Sequence, residues 1–458
     1  MLWLRLVFAF ALPTLCGFII IAWAYNCRIK ELLLEKAVLG FGFGFGLLSI
    51  ESFLLGFSDL PLTFPYMALA QVVFAMPFLI AVYLRRGQAS AHKEKKAFDR
   101  PGKWEIAVIS ALALWICLKI VFVLYSGFNK PFTSFDFWTQ WGAGGKLFFY
   151  AHGLILDSAD ENFFGRGYRI YMGHPLLTTM TQVWISNVLG GYHETFAKSW
   201  SSVYFLSLLL FFMLAIKKEG GFMVAIVATF FLSTLPLLTF HAQDGYADLT
   251  LSFYVLAGAV FLWWYMEKGT SRFLMLSGLF MAMAAFTKNE GLLYLFFTGV
   301  SLVFYILLEK RGRWMDIVRF ALPALIFISP WIIFKAYYAI GSGHGYETSS
   351  LDWSPALHFE IIPIYFKEIF FSVNHGLVFP FLFVISIMGV KVILKSNIKY
   401  LYLLLILFLG ALLFLYITTW DFTSVVYGTG LHRNTLTFVP LAFFLSIIIF
   451  LRLGKISA

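Results

Sequence analysis

Apolar runs of about twenty residues recur along this chain, from LWLRLVFAFALPTLCGFIIIAWAY near its start to LTFVPLAFFLSIIIFL near its end. A helix of that length crosses the ~30 Å hydrocarbon core of a bilayer, where only a helix or a closed barrel satisfies its own backbone. Composition agrees. The chain is 60% hydrophobic and 13% charged, whereas soluble domains carry roughly a quarter charged residues. It is therefore expected to be an all-α polytopic membrane protein. The first run lacks a small-x-small cleavage pattern and leads straight into a charged loop, so it reads as a retained span, not a signal peptide. Spans are expected at roughly 6–25, 37–57, 61–84, 104–126, 197–216, 221–239, 247–266, 272–287, 290–308, 316–339, 376–394, 399–419 and 434–451, about thirteen in all.

The net charge of +10 does not point to nucleic acid, because the basic residues lie in short loops between spans. Loops 26–36, 85–103, 217–220, 267–272, 309–319, 391–399 and the tail 452–458 hold most of the 34 lysines and arginines. All seven fall on one side of this threading, which makes that side cytoplasmic. The segment HPLLTTMTQVWISNVLGG (174–191) is apolar, but as a span it would turn every later basic loop outward. It is also short and rich in Thr, Gln, Ser and Asn, so a helix lying in the external interface is expected. The external side then carries long loops at 127–196 and 340–375 and short turns at 240–246 and 420–433. A second interfacial helix is expected in SPALHFEIIPIYFKEIFFSV. GFGFGFG (40–46) holds overlapping GxxxG patterns and reads as close helix–helix contact. The three cysteines, Cys16, Cys27 and Cys117, lie in or near spans and form neither a disulfide framework nor a metal signature.

Ionisable residues collect on the external side: Asp136, Lys146, His152, Asp157, Asp160, Glu161, Arg166, Arg169 and His174, then His241, Asp244 and Asp248, then Lys288 and Glu290, then His432 and Arg433. Many have ordinary explanations. DSADEN lacks calcium-loop spacing and reads as a solvated loop, Arg166 and Arg169 can snorkel, Asp244 can cap the helix that follows, and Glu51 and Lys119 can pair inside the bundle. Asp136, Asp248, Lys288 and Arg433 resist such readings. They come from distant parts of the chain, yet the threading sets all four near the external interface, and ionisable groups at membrane depth are functional candidates. Carboxylates beside Lys and Arg suit proton removal next to an anionic leaving group.

The aspartate of SFDFWTQW…KLFF, HPLL about forty residues on, GYADL before a span, TKNEGLL between two spans and HR before the last span occur in this order. Together they resemble the GT-C membrane glycosyltransferases, in particular the bacterial branch related to aminoarabinose transferases and protein O-mannosyltransferases. The resemblance covers roughly residues 104–451. It divides the chain into an N-terminal three-helix addition, 1–103, and a GT-C-like core, 104–458.

The family resemblance implies a GT-C-like helical bundle in the bacterial inner membrane, its site facing the periplasm. It implies a transferase moving a sugar from a polyprenyl-phosphate donor to a hydroxyl of a glycan, lipid or protein, usually with inversion. Carried over by motif, Asp136 is the expected general base and Asp248 the second catalytic carboxylate, while Lys288 and His432 or Arg433 meet the donor phosphate. Trp138, Lys146, His174, Asp244 and Glu290 are candidate substrate contacts. Relatives often have Asp-Glu where this chain has Asp136-Phe137, which puts a metal role there in doubt; no cofactor is assigned, and a divalent cation stays open. A lipid-phosphate donor also fits the absence of a Gly-rich nucleotide fingerprint, since nucleotide sugars are not expected outside the cytoplasm. The alternatives are a transporter or flippase of a lipid-linked or anionic solute, and a glycan polymerase or ligase using polyprenyl-diphosphate donors. A transporter tends to show inverted repeats and mid-membrane charges, whereas here the charges gather at one face.

Overall fold

The computed structural model describes residues 1–25, 32–85, 102–155, 173–310, 313–338, 340 and 353–457. Asp157, Asp160, Glu161, Arg166 and Arg169 lie outside these, as does Cys27. The protein is an all-α membrane protein: helices follow one another throughout, and among the described residues the one β contact is an isolated bridge between Trp353 and Thr419. Every expected span has a helical counterpart.

Among the described residues, nine helices are long and apolar enough to cross a membrane, or ten if the bent pair Ile361–His375 and Val378–Met388 is one span. The difference from about thirteen has three local causes. The spans expected at 197–216 and 221–239 are two helices within Ser199–Ser233 that meet at Gly221, where φ 85° and ψ 177° break the helical backbone with no loop between them. Arg272–Thr287 and Val439–Gly454 are apolar but shorter. The segment around 376 turns by 115° between its two helices. The turn expected at 240–246 is instead largely helix: Pro236 opens a new helix, Pro236–Asp244, and Gly245 at φ 76° ends it.

The chain divides into two compact units. The first comprises Met1–Arg100, Lys119–Phe211 and His241–Ala247, so the three leading helices cluster with the first long loop. Helices Leu2–Tyr25 and Leu33–Phe57 meet backbone to backbone. A Cβ on Gly17 would lie 2.0 Å from the Gly40 carbonyl oxygen, and one on Gly44 would lie 1.8 Å from that of Pro13. GFGFGFG is thus a packing surface. Gly44→Leu is expected to lower stability by about 3 kcal/mol, the upper end for overpacking, because a backbone clash has no rotamer escape. Gly410→Ala, at a helix position with open space around it, should leave the melting temperature unchanged or raise it. Equal losses in the two variants would refute the contact.

Helix Leu177–Leu189 is too short to span, as expected, but all of its residues except Asn187 are buried. Its polar side chains face protein. Gln182 donates to the Trp141 carbonyl at 3.0 Å, Trp184 to the Ala9 carbonyl at 2.8 Å, and Thr181 lies 3.2 Å from Ser49 Oγ. Polar residues on an apolar helix mark a need for partners, and here other helices supply them. Glu51 likewise finds Gln71, whose amide donates to its carboxylate.

The second unit comprises Pro101–Leu118, Phe212–Phe240 and Asp248–Ala458. Helix Ala247–Lys268 is buried along nearly its whole length, and the unit's other helices include Arg272–Thr287, Glu290–Glu309, Trp314–Tyr337, Ile398–Thr418 and Val439–Ser457. Glycines again set close crossings: a Cβ on Gly278 would lie 2.1 Å from the Phe320 carbonyl oxygen. In Ile361–Phe371, Ile361, Tyr365 and Ile369 form a buried stripe at four-residue spacing, the amphipathic pattern expected there.

Candidate functional site

The TKNEG stretch makes a turn that the chain could not make without its glycine. Helix Arg272–Thr287 ends with Lys288 in extended backbone, φ −149° and ψ 155°, and the next helix starts at Glu290. Gly291 packs so closely on the preceding helix that a Cβ would meet the Ala284 carbonyl oxygen at 2.1 Å. The extended residue swings the lysine side chain inward to Asp248 in the first turn of Ala247–Lys268. Lys288 Nζ lies 2.9 Å from Asp248 Oδ1, 3.1 Å from Glu290 Oε1 and 3.5 Å from Asn434 Oδ1. On the other oxygen of Asp248, Arg433 approaches at 3.4 Å.

Asp248 is 1% exposed and Lys288 7%, so this is a buried ionic cluster, and such clusters persist only when each charge is matched. Burial alone would lower the Lys288 pKa; Asp248 and then Glu290 outweigh it and hold the ammonium above the usual lysine value. Both oxygens of Asp248 face cations, so its geometry is that of a residue that positions Lys288 and Arg433. Arg433 and Glu290 keep part of their side chains open, 21% and 24%.

Helix Leu431–Leu436 supplies Arg433 and Asn434, and Asn434 also donates to the Tyr416 hydroxyl at 2.8 Å. His432 stands beside them in sequence. Its carbonyl accepts from His375 Nε2 at 3.1 Å, and burial holds its imidazole below the usual histidine value. A lowered histidine is neutral near pH 7, and any stability it contributes is present above the unfolded value, about 6.5, and lost as pH falls from there through the lower folded value. Arg433, unlike His432, is therefore a cation at neutral pH.

The first unit holds Asp136, Trp138, Lys146, His174 and Asp244. Phe137 and Trp141, one helical turn apart, are buried with Ala247. That fixes the π-helical turn Phe137–Trp141 and leaves Asp136 half-buried between Phe135 and Trp138, which are 76% and 55% exposed. Asp244 is not the cap of the following helix. Its carboxylate accepts from the Thr133 backbone N–H at 2.8 Å and the Thr133 hydroxyl at 2.9 Å, while its carbonyl accepts from Ser134 at 3.2 Å. Asp244 thus pins the strap that leads into Asp136.

The glycines of GAGGK are packing residues: a Cβ on Gly142 would strike the Phe137 ring at 2.5 Å and one on Gly145 the Gln182 side chain at 2.8 Å. Lys146 lies 3.9 Å from Glu194, with both side chains well exposed, and over the Tyr192 ring; such a pair contributes little. His174 packs edge-on against Trp141 at 5.4 Å.

Three residues of these sites were not singled out from the sequence. Asn434 and Tyr416 join the ionic cluster, and HRN was the available sign for the first. Lys198, 1% exposed, donates from Nζ to the Gln243 carbonyl beside Asp244; its sign was a lysine in FAKSW at the edge of an apolar run. Among the described residues, no group of three or more His, Cys, Asp or Glu side chains could hold a metal ion.

No protein-family model matches the chain, and no curated protein matches it. Its fold is similar to that of ArnT from Cupriavidus metallidurans, a GT-C aminoarabinose transferase. Against the crystal structure of ArnT bound to undecaprenyl phosphate, the TM-score is 0.53 at 15% identity, covering 74% of this chain and 60% of that one. Against the apo crystal structure, the TM-score is 0.50 at 13% identity, covering 75% and 60%. The chain therefore spans less than two thirds of the length of the ArnT structures it matches. The GT-C-like helical fold expected from the motifs is the fold observed.

Proposed function

We propose that this protein is a membrane glycosyltransferase that takes a sugar from a polyprenyl-phosphate donor and passes it to a hydroxyl of a glycan, lipid or protein. The observation that carries the reading is the buried Asp248–Lys288–Arg433 cluster in a fold similar to a protein whose structure holds undecaprenyl phosphate. Asp248 orients the two cations, Lys288 and the partly open Arg433 guanidinium take the donor phosphate, and Glu290 accepts from sugar hydroxyls. Asp136 removes the proton from the acceptor hydroxyl. The acceptor oxygen then attacks the anomeric carbon, and the carbon–oxygen bond to phosphate breaks. The polyprenyl phosphate departs with the electron pair, its growing charge met by the cations. Attack opposite the leaving group inverts the anomeric centre. The reading places the reaction on the periplasmic face of a bacterial inner membrane, where the prenyl tail rests in the bilayer.

The test is donor conversion. Purified protein in nanodiscs is incubated with a panel of polyprenyl-monophosphate sugars and a membrane extract, and the lipids are followed by mass spectrometry. Conversion of one donor to free polyprenyl monophosphate is the expected outcome. A diphosphate carrier as the spent product would make the protein a glycan polymerase or ligase. Tight binding of a donor that stays intact would make it a transporter.

A further inference from the structure

The helix that carries Arg433 has six residues, Leu431–Leu436, too few to hold its shape by its own hydrogen bonds. Contacts from elsewhere in the second unit set its place. Asn434 donates to the Tyr416 hydroxyl, and the Leu436 carbonyl accepts from the Ser252 hydroxyl at 3.3 Å. On the peptide unit that leads into Arg433 the contact comes from His375. Its Nε2 lies 3.1 Å from the His432 carbonyl oxygen and 2.8 Å from Thr435 Oγ1.

His375 is aimed there by its own turn. Val373–His375 is a single 3-10 turn, and the Ser372 side chain caps it by accepting from the Asn374 backbone N–H at 3.2 Å. Gly376 follows at φ 55°, a conformation that suits glycine. The turn lies at the 115° bend between Ile361–His375 and Val378–Met388. Val373 and Leu377 are each 79% exposed, whereas His375 between them is completely buried. A buried polar ring is costly unless it is hydrogen-bonded, so the turn spends its one inward polar side chain on the Arg433 helix.

Those bonds fix the tautomer. A carbonyl can only accept, so Nε2 carries the proton that meets His432. Thr435 gives its own proton to a carbonyl of its helix, Leu431 at 2.8 Å or His432 at 3.1 Å, and its oxygen therefore accepts from Nε2 as well. One N–H thus holds the backbone at His432 and the side chain of Thr435, with Arg433 and Asn434 between them.

We propose that His375 is a positioning residue for the donor phosphate: its Nε2–H sets the backbone of Arg433 and so the place of the guanidinium. This rests on the proposed role of Arg433 in donor binding. His375 touches no substrate and acts through the helix it holds.

The test uses the full-length protein in nanodiscs, as wild type, His375→Gln, His375→Leu and Thr435→Val. Donor affinity and turnover are measured with the polyprenyl-monophosphate sugar that wild type converts, beside the melting temperature. The rate at which phenylglyoxal modifies Arg433, followed by peptide mass spectrometry, reports the guanidinium without any donor. Glutamine can place an amide N–H near Nε2, and leucine cannot. His375→Leu is expected to weaken donor affinity about tenfold and to change the Arg433 modification rate, while His375→Gln stays within about threefold of wild type on both. Thr435→Val keeps the histidine and removes one acceptor, so it should fall between them; it decides the matter if His375→Leu does not fold. Should wild type convert no donor, the proposed function fails, and the Arg433 modification rates alone judge His375. Wild-type affinity and Arg433 reactivity in His375→Leu, or in Thr435→Val where that variant decides, overturn the proposal. So does a loss in His375→Gln as large as that in His375→Leu.

Discussion

Lys288→Ala is expected to destroy transfer and to destabilise the protein together. The lysine is the shared counter-ion of Asp248 and Glu290, at 2.9 Å and 3.1 Å. Without it a carboxylate that is 1% exposed loses its nearer cation and is left with Arg433 at 3.4 Å as the cation on its other oxygen. Removing one partner of a buried pair costs about 3–5 kcal/mol, and losing a cation on a departing oxyanion costs about 10²–10³ in turnover. The two effects separate in Asp248→Asn/Lys288→Met, which removes a positive and a negative charge together. That variant should recover most of the melting temperature and remain inactive. Turnover within tenfold of wild type in either variant would show that the cluster is structural only.

The same cluster fixes the pH behaviour. A lysine whose folded pKa is raised contributes its stability in full below the unfolded value, about 10.4, and loses it only as pH rises through the folded one. Lys288 is raised, so donor affinity should show no loss attributable to it between pH 6 and pH 9.

Asp136→Asn should act differently: turnover falls by about 10² or more, while the melting temperature and donor binding hold. Asp136 is half-buried beside two exposed aromatics. The strap that carries it is held by Asp244 on Thr133 and by buried Phe137 and Trp141, anchors that remain in this variant. Asparagine preserves shape and removes the base. Donor conversion by Asp136→Asn at near wild-type rate would remove Asp136 from the mechanism. A lowered melting temperature would instead assign it to the scaffold.

The helical membrane architecture was legible because hydrophobic length is a local property. Each expected span is helical in the structure, since in lipid no other open segment can satisfy its backbone. Packing glycines were legible in GFGFGFG for a similar reason: the GxxxG spacing lies on one helix face. Lys288 and Arg433 stood out because a charge beside an apolar run demands a partner. What that partner is does not reside in any window of sequence.

Only tertiary structure could decide that Lys288 meets Asp248, forty residues away in the chain, and Asn434, much farther. Nor could any local pattern separate Asp244 from Asp248. Both lie in HAQDGYAD, yet one pins the Thr133 strap and the other holds two cations. The helix at 177–189 makes the same point, since its Thr, Gln and Ser side chains meet protein instead of water. Sequence determined which stretches must be helical and which charges need a counterpart, because desolvation acts on each segment by itself. The pairing of those charges depended on the fold, because an ion pair is decided by distance in space, and distance is set by how the helices pack.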